Sequence, residues 1–507
     1  MRFGSKCGRI CVLALSLVLI TRPSAAAEVK NVILMIADGS GFNCWKAASM
    51  YQGKWDAANQ KSTQVYDQPG WVAYGCSTDP LNMSKAPAKT NLQDPTLVYD
   101  PTLAWNHQGG YEWLKTHYTD SAAAATALST ARKTFNNAIN WSDEDQPLGP
   151  TIAEVAKAKG WSVGVITTVQ WSHATPAGLG SARTPERNNY SEIARQMVED
   201  GVIDVIMGAG NPDFDNNAAP ASGKARKKKA KGTKGKQAGA DETCKYVGGA
   251  EAWKAIEEAR QQPGGLYHGF RPVSTKAEFE ALVSGPTPAK VLGTAQVGET
   301  LQQARAGKDT SDPATDTPLN QNVPDLAIMS QGALNVLDNN PKGLFLMIEG
   351  GAIDWANHQN QGGRMVQEQI DFVRAVEAVV EWVNANSNWD ETLVILTADH
   401  ETGLLLGPDS DTEPFAPIVD HGPGQMPGLK YHSKNHSNSL VPLYARGAAS
   451  ERLAELVVGR DPVYGPYVDN TGVAMVILEA LDPSTTPAPS AQQRGRMDTN
   501  PHDLPKQ

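Results

Sequence analysis

Cysteine is scarce in this chain of 507 residues, which contains only five. Two of them, Cys7 and Cys11, lie near the N-terminus, and the other three are Cys44, Cys76 and Cys244. Nothing in their spacing resembles a structural zinc site built from cysteines. Three is an odd number, so at least one of the later thiols stays unpaired or pairs between chains, and a Cys44–Cys76 disulfide stays open as an alternative.

Long apolar runs are absent after the N-terminal segment. Residues 1–27 carry a basic start (Arg2, Lys6, Arg9), an apolar run over 10–20 and three alanines at 25–27. This pattern predicts a secretory signal peptide, with an anchoring helix as the alternative. We therefore expect an exported protein, periplasmic or extracellular, with no membrane span after cleavage.

Positive charge is in deficit, since the formal net charge is −10. This balance argues against nucleic acid as the main partner and suits a protein that holds cations through carboxylates. The exception is residues 224–236, KARKKKAKGTKGK. Such a run is typical of a solvated insertion, and binding to an acidic surface is the alternative.

No internal repeat divides the chain, and apolar runs that are typical of buried parallel strands recur along it. They cover residues 29–37, 161–168, 202–207, 343–348 and 393–397, with a further strand-like run at 441–445. We predict helices over 121–133, 151–159 and 365–383, and loops, short helices and edge structure over 43–115. The organisation predicted is a signal peptide (1–27), one α/β domain (28–481) and a flexible tail (482–507). An insertion at about 220–240 and an accessory region at about 237–330 interrupt the domain.

Residues 117–127, HYTDSAAAATA, predict a loop followed by an alanine-rich helix. Ser121 falls at the helix start, where serine is a favoured cap and where an anion is stabilised. A serine at that place is either a cap or an activated nucleophile.

Polar side chains recur where the predicted strands end. They are Asp38, His173, Thr175, Glu349, Asp354, His358, Asp399 and His400, with His436 before the last strand-like run. His421 and His432 precede His436, so spacing alone does not decide which histidine faces the site. Imidazole combined with carboxylate suits zinc, whereas oxygen ligands suit magnesium. Two zinc ions about 4 Å apart stabilise both oxygens of an in-line displacement, and a serine beside one of them loses its proton readily.

Several of these segments, in this order, resemble alkaline phosphatases over about residues 29–448. They are DGSG at 38–41, DSAAAATA at 120–127, EGGAID at 349–354 with His358, TADHETG at 397–403, and His436 before VPLYA. The resemblance implies a three-layer α/β sandwich in which helices flank a large, mostly parallel sheet. It also implies phosphate monoester hydrolysis of small substrates, and family members are commonly homodimers.

The resemblance further implies roles for individual residues. Ser121 would be the nucleophile that becomes phosphorylated, and Asp120 would lie beside the substrate. One zinc would be bound by Asp354, His358 and His436, and a second by Asp38, Asp399 and His400 with Ser121. Magnesium would be held by Asp38, Thr175 and Glu349. An arginine would bind two phosphate oxygens, and Arg187 matches the family's arginine better than Arg183.

Two positions depart from the family's bacterial archetype, which has Asp where His173 stands and Lys where Trp355 stands. His173 leaves the identity of the third metal open, and Trp355 is expected to narrow the phosphate pocket. The modification motif of sulfatases is absent. Glu349 and Thr175 argue against a diesterase, and a non-catalytic binding protein is the alternative from another class.

Overall fold

The structure is a computed structural model, and it describes residues 28–221, 241–307, 312–313 and 316–482, with residues 1, 4 and 484. The predicted signal peptide, the basic run at 224–236 and nearly all of the predicted tail lie outside the described residues. These three predictions therefore stay predictions, as do the domain boundaries.

The described strands are β1 Asn31–Ile36, β2 Trp55–Asp56, β3 Lys61–Ser62, β4 Trp71–Ser77, β5 Ser162–Gln170, β6 Val205–Ala209, β7 Arg271–Val273, β8 Val291–Thr294, β9 Leu344–Glu349, β10 Thr392–Thr397, β11 Glu401–Thr402, β12 Leu405–Leu406, β13 Lys430–Tyr431, β14 His436–Ser437, β15 Val441–Gly447, β16 Val457–Asp461 and β17 Gly465–Asp469. Eleven of them form one sheet, in the order β16-β17-β4-β15-β10-β1-β9-β5-β6-β8-β7. From β10 through β7 every pairing is parallel, whereas β15 runs antiparallel to both β10 and β4.

Helices cover both faces of this sheet. They are α1 Phe42–Tyr51, α2 Pro101–Ala104, α3 Glu112–Thr116, α4 Ser121–Thr130, α5 Ile152–Ala158, α6 Ala174–Leu179, α7 Tyr190–Glu199, α8 Ala250–Gln261, α9 Lys276–Glu280, α10 Leu326–Leu337, α11 Ala352–His358, α12 Gly362–Asn386 and α13 Asn470–Leu481. Side chains alternate across β1, so that Leu34 packs with α4, α5 and α13 on one face while Met35 packs with α1, α10 and α12 on the other. The predicted three-layer α/β sandwich is confirmed.

The parallel strands position the site because their carboxyl ends lie along one edge of the sheet, where open α/β sheets bind ligands. In register with one another, β1 ends at Ile36, β9 at Glu349 and β10 at Thr397. Asp38 and Asp399 lie directly after β1 and β10, and Asp354 lies in the first turn of α11, which follows β9. At Gly39 the backbone has φ of 69°, and a β-carbon there would lie 2.7 Å from Asp354 Cα. Only glycine therefore allows the Asp38 turn to approach Asp354 so closely.

Some local expectations were wrong. Residues 43–115 do not supply only loops and edge structure, because β4 lies inside the sheet between β15 and β17. The described part of 237–330 contributes β7 and β8 to the same sheet. Cys44 and Cys76 are not joined, because these two buried thiols lie in the cores on opposite faces of the sheet. Among the described helices, none combines the length and the apolar character needed to cross a membrane.

Candidate active site

Ser121 is the first residue of α4, and its side chain is only slightly exposed in a buried pocket. The interpretation of Ser121 as the helix cap is wrong, because Asp120 is the N-cap and accepts a hydrogen bond from the Ala123 N–H. The serine hydroxyl is thereby left for another partner. Its Oγ lies 3.2 Å from His400 Nε2.

Asp354, His358 and His436 form one cluster that could hold a metal ion. Asp354 and His358 share one face of α11, and Asp354 Oδ1 lies 3.4 Å from His358 Nε2 and 3.7 Å from His436 Nε2. The Nδ1 atoms of the two histidines contact backbone oxygens, those of Lys434 (2.6 Å) and Thr119 (2.8 Å). With those Nδ1 atoms as donors, both Nε2 lone pairs face inward, 3.1 Å apart. Metal-binding histidines typically donate their other ring N–H to a backbone carbonyl in this way.

Asp38, Asp399 and His400 form the second cluster, and all three are fully buried. His400 Nε2 lies 3.2 Å from Asp399 Oδ2 and 3.7 Å from Asp38 Oδ1. Asp399 Oδ1 accepts hydrogen bonds from the backbone N–H groups of Gly39 and His400, which fix the carboxylate. The two clusters are adjacent, since the rings of His400 and His436 stack with centroids 3.6 Å apart.

Glu349 and Thr175 are fully buried, with Glu349 close to Asp38, whereas His173 lines the cavity. Glu349 accepts a short hydrogen bond from the Thr167 hydroxyl through Oε2, whereas its Oε1 and the Thr175 hydroxyl are buried without a well-formed hydrogen bond. His173 and Thr175 are not on an extended loop, because α6 begins directly after His173. Burial, helped by nearby Arg187, lowers the pKa of His173 to about 3, so the ring is neutral.

Arg187 and Trp355 line the pocket that contains Ser121. They share a cavity of about 330 Å³ with Ser121, His173, Asp354, His358, Gln359 and His436. Asp120 holds the guanidinium through a 2.9 Å contact between Oδ2 and Arg187 Nη1. Arg183 lies elsewhere and pairs with Glu154 at 2.7 Å. The structure therefore brings Arg187, and not Arg183, into the pocket with Ser121.

The site carries more buried negative charge than its protein partners neutralise. Burial and the neighbouring carboxylates raise the pKa of Asp38 well above its ordinary value, and burial also raises the pKa of Asp399 and Glu349. Asp38 Oδ1, Glu349 Oε1 and Asp399 Oδ2 are all buried without hydrogen bonds. Unpaired buried carboxylates are costly, and cations beside them remove that cost. The donor set therefore fits divalent metal ions.

Some residues at the site were missed by the sequence analysis. Thr402 contacts both clusters, Thr167 supports Glu349, and Gln359 lines the cavity. Thr402 and Gln359 follow predicted ligands by one or two positions, whereas Thr167 carries no such signal. The ambiguity among histidines is resolved by geometry: His421 contacts the Met426 carbonyl and His432 contacts Ser410, both away from the clusters.

Fold and site together define a class of α/β proteins that hold a serine between two carboxylate–imidazole clusters at the carboxyl edge of the central sheet. Within that class the chain belongs to the alkaline phosphatase family, because the family model "Alkaline phosphatase" matches residues 108–416. The chain is 29% identical over 382 residues to Alkaline phosphatase 4 of Bacillus subtilis, covering 74% of this chain and 62% of that relative. It therefore spans less than two thirds of the length of that relative.

Other relatives match over similar lengths. The alkaline phosphatase of Escherichia coli K12 is 28% identical over 374 residues, which are 69% of this chain and 73% of the relative. Among solved structures, the cold-active alkaline phosphatase of a Shewanella species superposes with a TM-score of 0.57 at 22% identity, covering 89% of this chain and 99% of that one. The Thermus thermophilus alkaline phosphatase has the same TM-score at 20% identity, covering 90% and 92%. These structural matches support the fold.

Proposed function

We propose that this protein hydrolyses phosphate monoesters through a phosphoserine intermediate on Ser121, at a site with two zinc ions and one magnesium ion. One observation carries the proposal: the Ser121 hydroxyl lies in one small cavity with Arg187 and the first carboxylate–imidazole cluster, and it lies 3.2 Å from His400 of the second cluster. A nucleophile, an anion-binding guanidinium and metal ligands are the parts that phosphoryl transfer requires.

Arg187 and Ser121 have separate roles in the two steps of the proposed reaction. Arg187, fixed by Asp120, binds two oxygens of the phosphoryl group through its planar guanidinium. Ser121 Oγ then attacks the phosphorus, the bond from phosphorus to the ester oxygen breaks, and the leaving alcohol takes up a proton. In the second step a water oxygen attacks the phosphoserine, the Oγ–phosphorus bond breaks, and inorganic phosphate is released. One proton of the attacking water returns to Ser121 Oγ, which restores the free serine.

Asp354, His358 and His436 would hold one zinc ion, and Asp38, Asp399 and His400 would hold the other. Asp38, Thr175 and Glu349 would hold magnesium, with His173 beside that position. Bound there, divalent cations favour deprotonation of a nearby hydroxyl and stabilise charge on the attacking and leaving oxygens. The buried His173 imidazole also suits zinc, so metal analysis has to decide the third ion.

The test is hydrolysis of an aryl phosphate by the mature protein before chelation, after chelation, and after zinc and magnesium are restored separately and together. We expect activity to disappear on chelation and to return fully only with both metals. A folded, fully metallated protein that hydrolyses an aryl phosphodiester and not the monoester would contradict the proposal. Inactivity towards both esters would instead support a non-catalytic binding protein.

We also propose that the mature chain is exported after cleavage near residue 27, acts on small phosphomonoesters and forms a homodimer. N-terminal sequencing of the protein recovered outside the cytoplasm tests the first point. Light scattering during gel filtration tests the last, and a monomeric mass would contradict it.

A further inference from the structure

Thr402 connects the two carboxylate–imidazole clusters through a single hydroxyl group. Its side chain is completely buried, and its Oγ1 donates a 2.6 Å hydrogen bond to Asp354 Oδ1 in the first cluster. The same Oγ1 lies 3.3 Å from Nδ1 of His400 in the second cluster. No other hydroxyl among the described residues has a recorded hydrogen bond to both clusters.

The single proton of the Thr402 hydroxyl decides which atom is the donor in each of these two contacts. A threonine hydroxyl has one proton, and here that proton is given to the Asp354 carboxylate. The contact with His400 therefore requires Nδ1 to be the donor. In the imidazole tautomer that donates from Nδ1, Nε2 carries the lone pair. This lone pair points towards Ser121, Asp38 and Asp399.

Backbone groups also support the histidines of both clusters. His358 and His436 each have a backbone carbonyl at Nδ1, and His400 has the Glu401 backbone in addition to the Thr402 hydroxyl, which is 3.3 Å from its Nδ1. The Thr402 backbone is itself fixed, since its N–H donates to the Gly39 carbonyl and it pairs with His436 across β11 and β14. The hydroxyl thus has little freedom to leave its two partners.

We infer that Thr402 is a positioning residue that orients Asp354 and helps to orient His400, and thereby controls how tightly both clusters retain metal. This inference rests on the proposed function, since it concerns the same metal ligands. Loss of a group that supports a ligand in this way typically weakens metal binding by about 10- to 100-fold.

The test is the rate at which a chromogenic chelator removes zinc from the purified, zinc-loaded protein, compared between wild type, Thr402→Val and Thr402→Ser. Valine keeps the approximate shape but removes the hydroxyl, whereas serine keeps the hydroxyl. We expect Thr402→Val to lose zinc about tenfold faster or more, and Thr402→Ser to stay within about twofold of wild type. Thr397→Val is the matched control, because that buried hydroxyl donates to the Pro442 carbonyl and contacts no ligand side chain.

Each outcome has a distinct meaning. Zinc release from Thr402→Val at the wild-type rate overturns the inference and leaves the proposed function standing. Equal acceleration in Thr402→Ser, or in Thr397→Val, also overturns it, because packing alone would then explain the effect. A wild-type protein that binds no zinc overturns both. Should Thr402→Val fail to fold by circular dichroism, Thr402→Ala against Thr402→Ser makes the same comparison.

Discussion

Two regions of this molecule contain buried charged side chains, and they differ in whether the protein itself pairs the buried carboxylates. Beside α12, Arg305, Asp316 and Arg364 form a buried ion triad whose side chains are 1%, 1% and 5% exposed. Asp316 Oδ2 lies 2.9 Å from Arg305 and 3.1 Å from Arg364, and backbone carbonyls accept further hydrogen bonds from both guanidinium groups. At the candidate active site, by contrast, one buried carboxylate oxygen each of Asp38, Asp399 and Glu349 accepts no hydrogen bond.

The comparison distinguishes buried charges that are paired within the protein and stabilise the fold from buried carboxylates that would bind cations. In the triad, the Asp316 carboxylate is paired with two guanidinium groups of the same chain, so removing this carboxylate leaves both arginines without their counter-ion. At the candidate active site the protein does not neutralise the buried carboxylates. Removing one of them therefore lowers the electrostatic repulsion among the others, as long as no metal is bound. The following predictions would sharpen or break this distinction.

The largest effect is expected for Ser121→Ala. This variant should lose the phosphoenzyme and more than about 1000-fold of the activity, because the nucleophile is gone. Its metal content and stability should stay close to wild type, since the change removes one oxygen next to the clusters and no carboxylate or imidazole. Phosphate trapping at acid pH and metal analysis measure the two quantities. Normal phosphoenzyme in the variant would exclude Ser121 as the nucleophile.

Asp316→Asn and Asp399→Asn should affect stability in opposite ways in metal-free protein. Asp316→Asn should lower the free energy of unfolding by about 3 kcal/mol, the usual cost of breaking a buried ion pair. Asp399→Asn should leave it unchanged or raise it, because the amide retains Oδ1 for the Gly39 and His400 N–H groups and can donate towards Asp38.

Urea unfolding of both variants after chelation measures this contrast. When zinc is restored, the wild type should gain stability and Asp399→Asn should gain less, whereas zinc should stabilise Asp316→Asn as much as it stabilises the wild type. Equal destabilisation of the two variants without metal would show that the site is balanced by the protein itself, and the distinction would fail.

A third prediction concerns Glu368, one turn after Arg364 on α12. Burial, with the nearby Asp371, raises the pKa of Glu368 to about 8, so this carboxyl is protonated at pH 7 in the folded protein and ionised in the unfolded chain. A folded-state pKa above the unfolded one gives stability that is lost as pH rises towards 8. The free energy of unfolding of Glu368→Gln should therefore rise relative to wild type by about 2 to 3 kcal/mol between pH 5 and pH 7.

The exposed Glu381 on the same helix provides the control, and Glu381→Gln should follow wild type at each pH. Urea unfolding of the three proteins across this pH range makes the comparison. A constant difference between Glu368→Gln and wild type would mean that Glu368 is ionised in the folded protein throughout.

The smallest effect is expected for Arg187, with Arg183 outside the pocket as its control. Arg187→Ala should weaken inhibition by inorganic phosphate by about tenfold, as expected when a charged hydrogen-bond donor is lost. Arg183→Ala should leave phosphate inhibition unchanged, since its guanidinium pairs with Glu154. Inhibition constants for phosphate measure both. The reverse pattern would place the phosphate away from the cavity that contains Ser121.

Much of the fold was predictable because the buried strands are continuous apolar runs and because polar side chains follow them directly. The prediction for β9 and its ligands, for example, needed only residues 343–358. The place of β4 inside the sheet was not predictable in this way, because it depends on pairing with β15, more than 350 residues later. The same limit applies to the Cys44–Cys76 disulfide that the sequence left open. The two thiols are separated by the sheet, and this separation is a property of tertiary packing.

The candidate site shows the same division. Spacing predicted that Asp354 and His358 share a helical face, and the structure has them there. It could not predict that Asp120 rather than Ser121 caps α4, because either residue is a good cap and the choice depends on where the helix begins. The contact of Thr402 with Asp354 likewise joins two segments that no local pattern connects.

The central position of β1 has a consequence for how the protein is made. This strand leaves the ribosome first among the eleven strands of the sheet, yet its two neighbours, β9 and β10, begin only at Leu344 and Thr392. For most of translation the nascent chain therefore carries an apolar strand without its partners, and such strands are prone to aggregation. Folding of the central sheet has to wait until nearly the whole chain is synthesised, so premature termination before residue 344 would yield a fragment unable to assemble it.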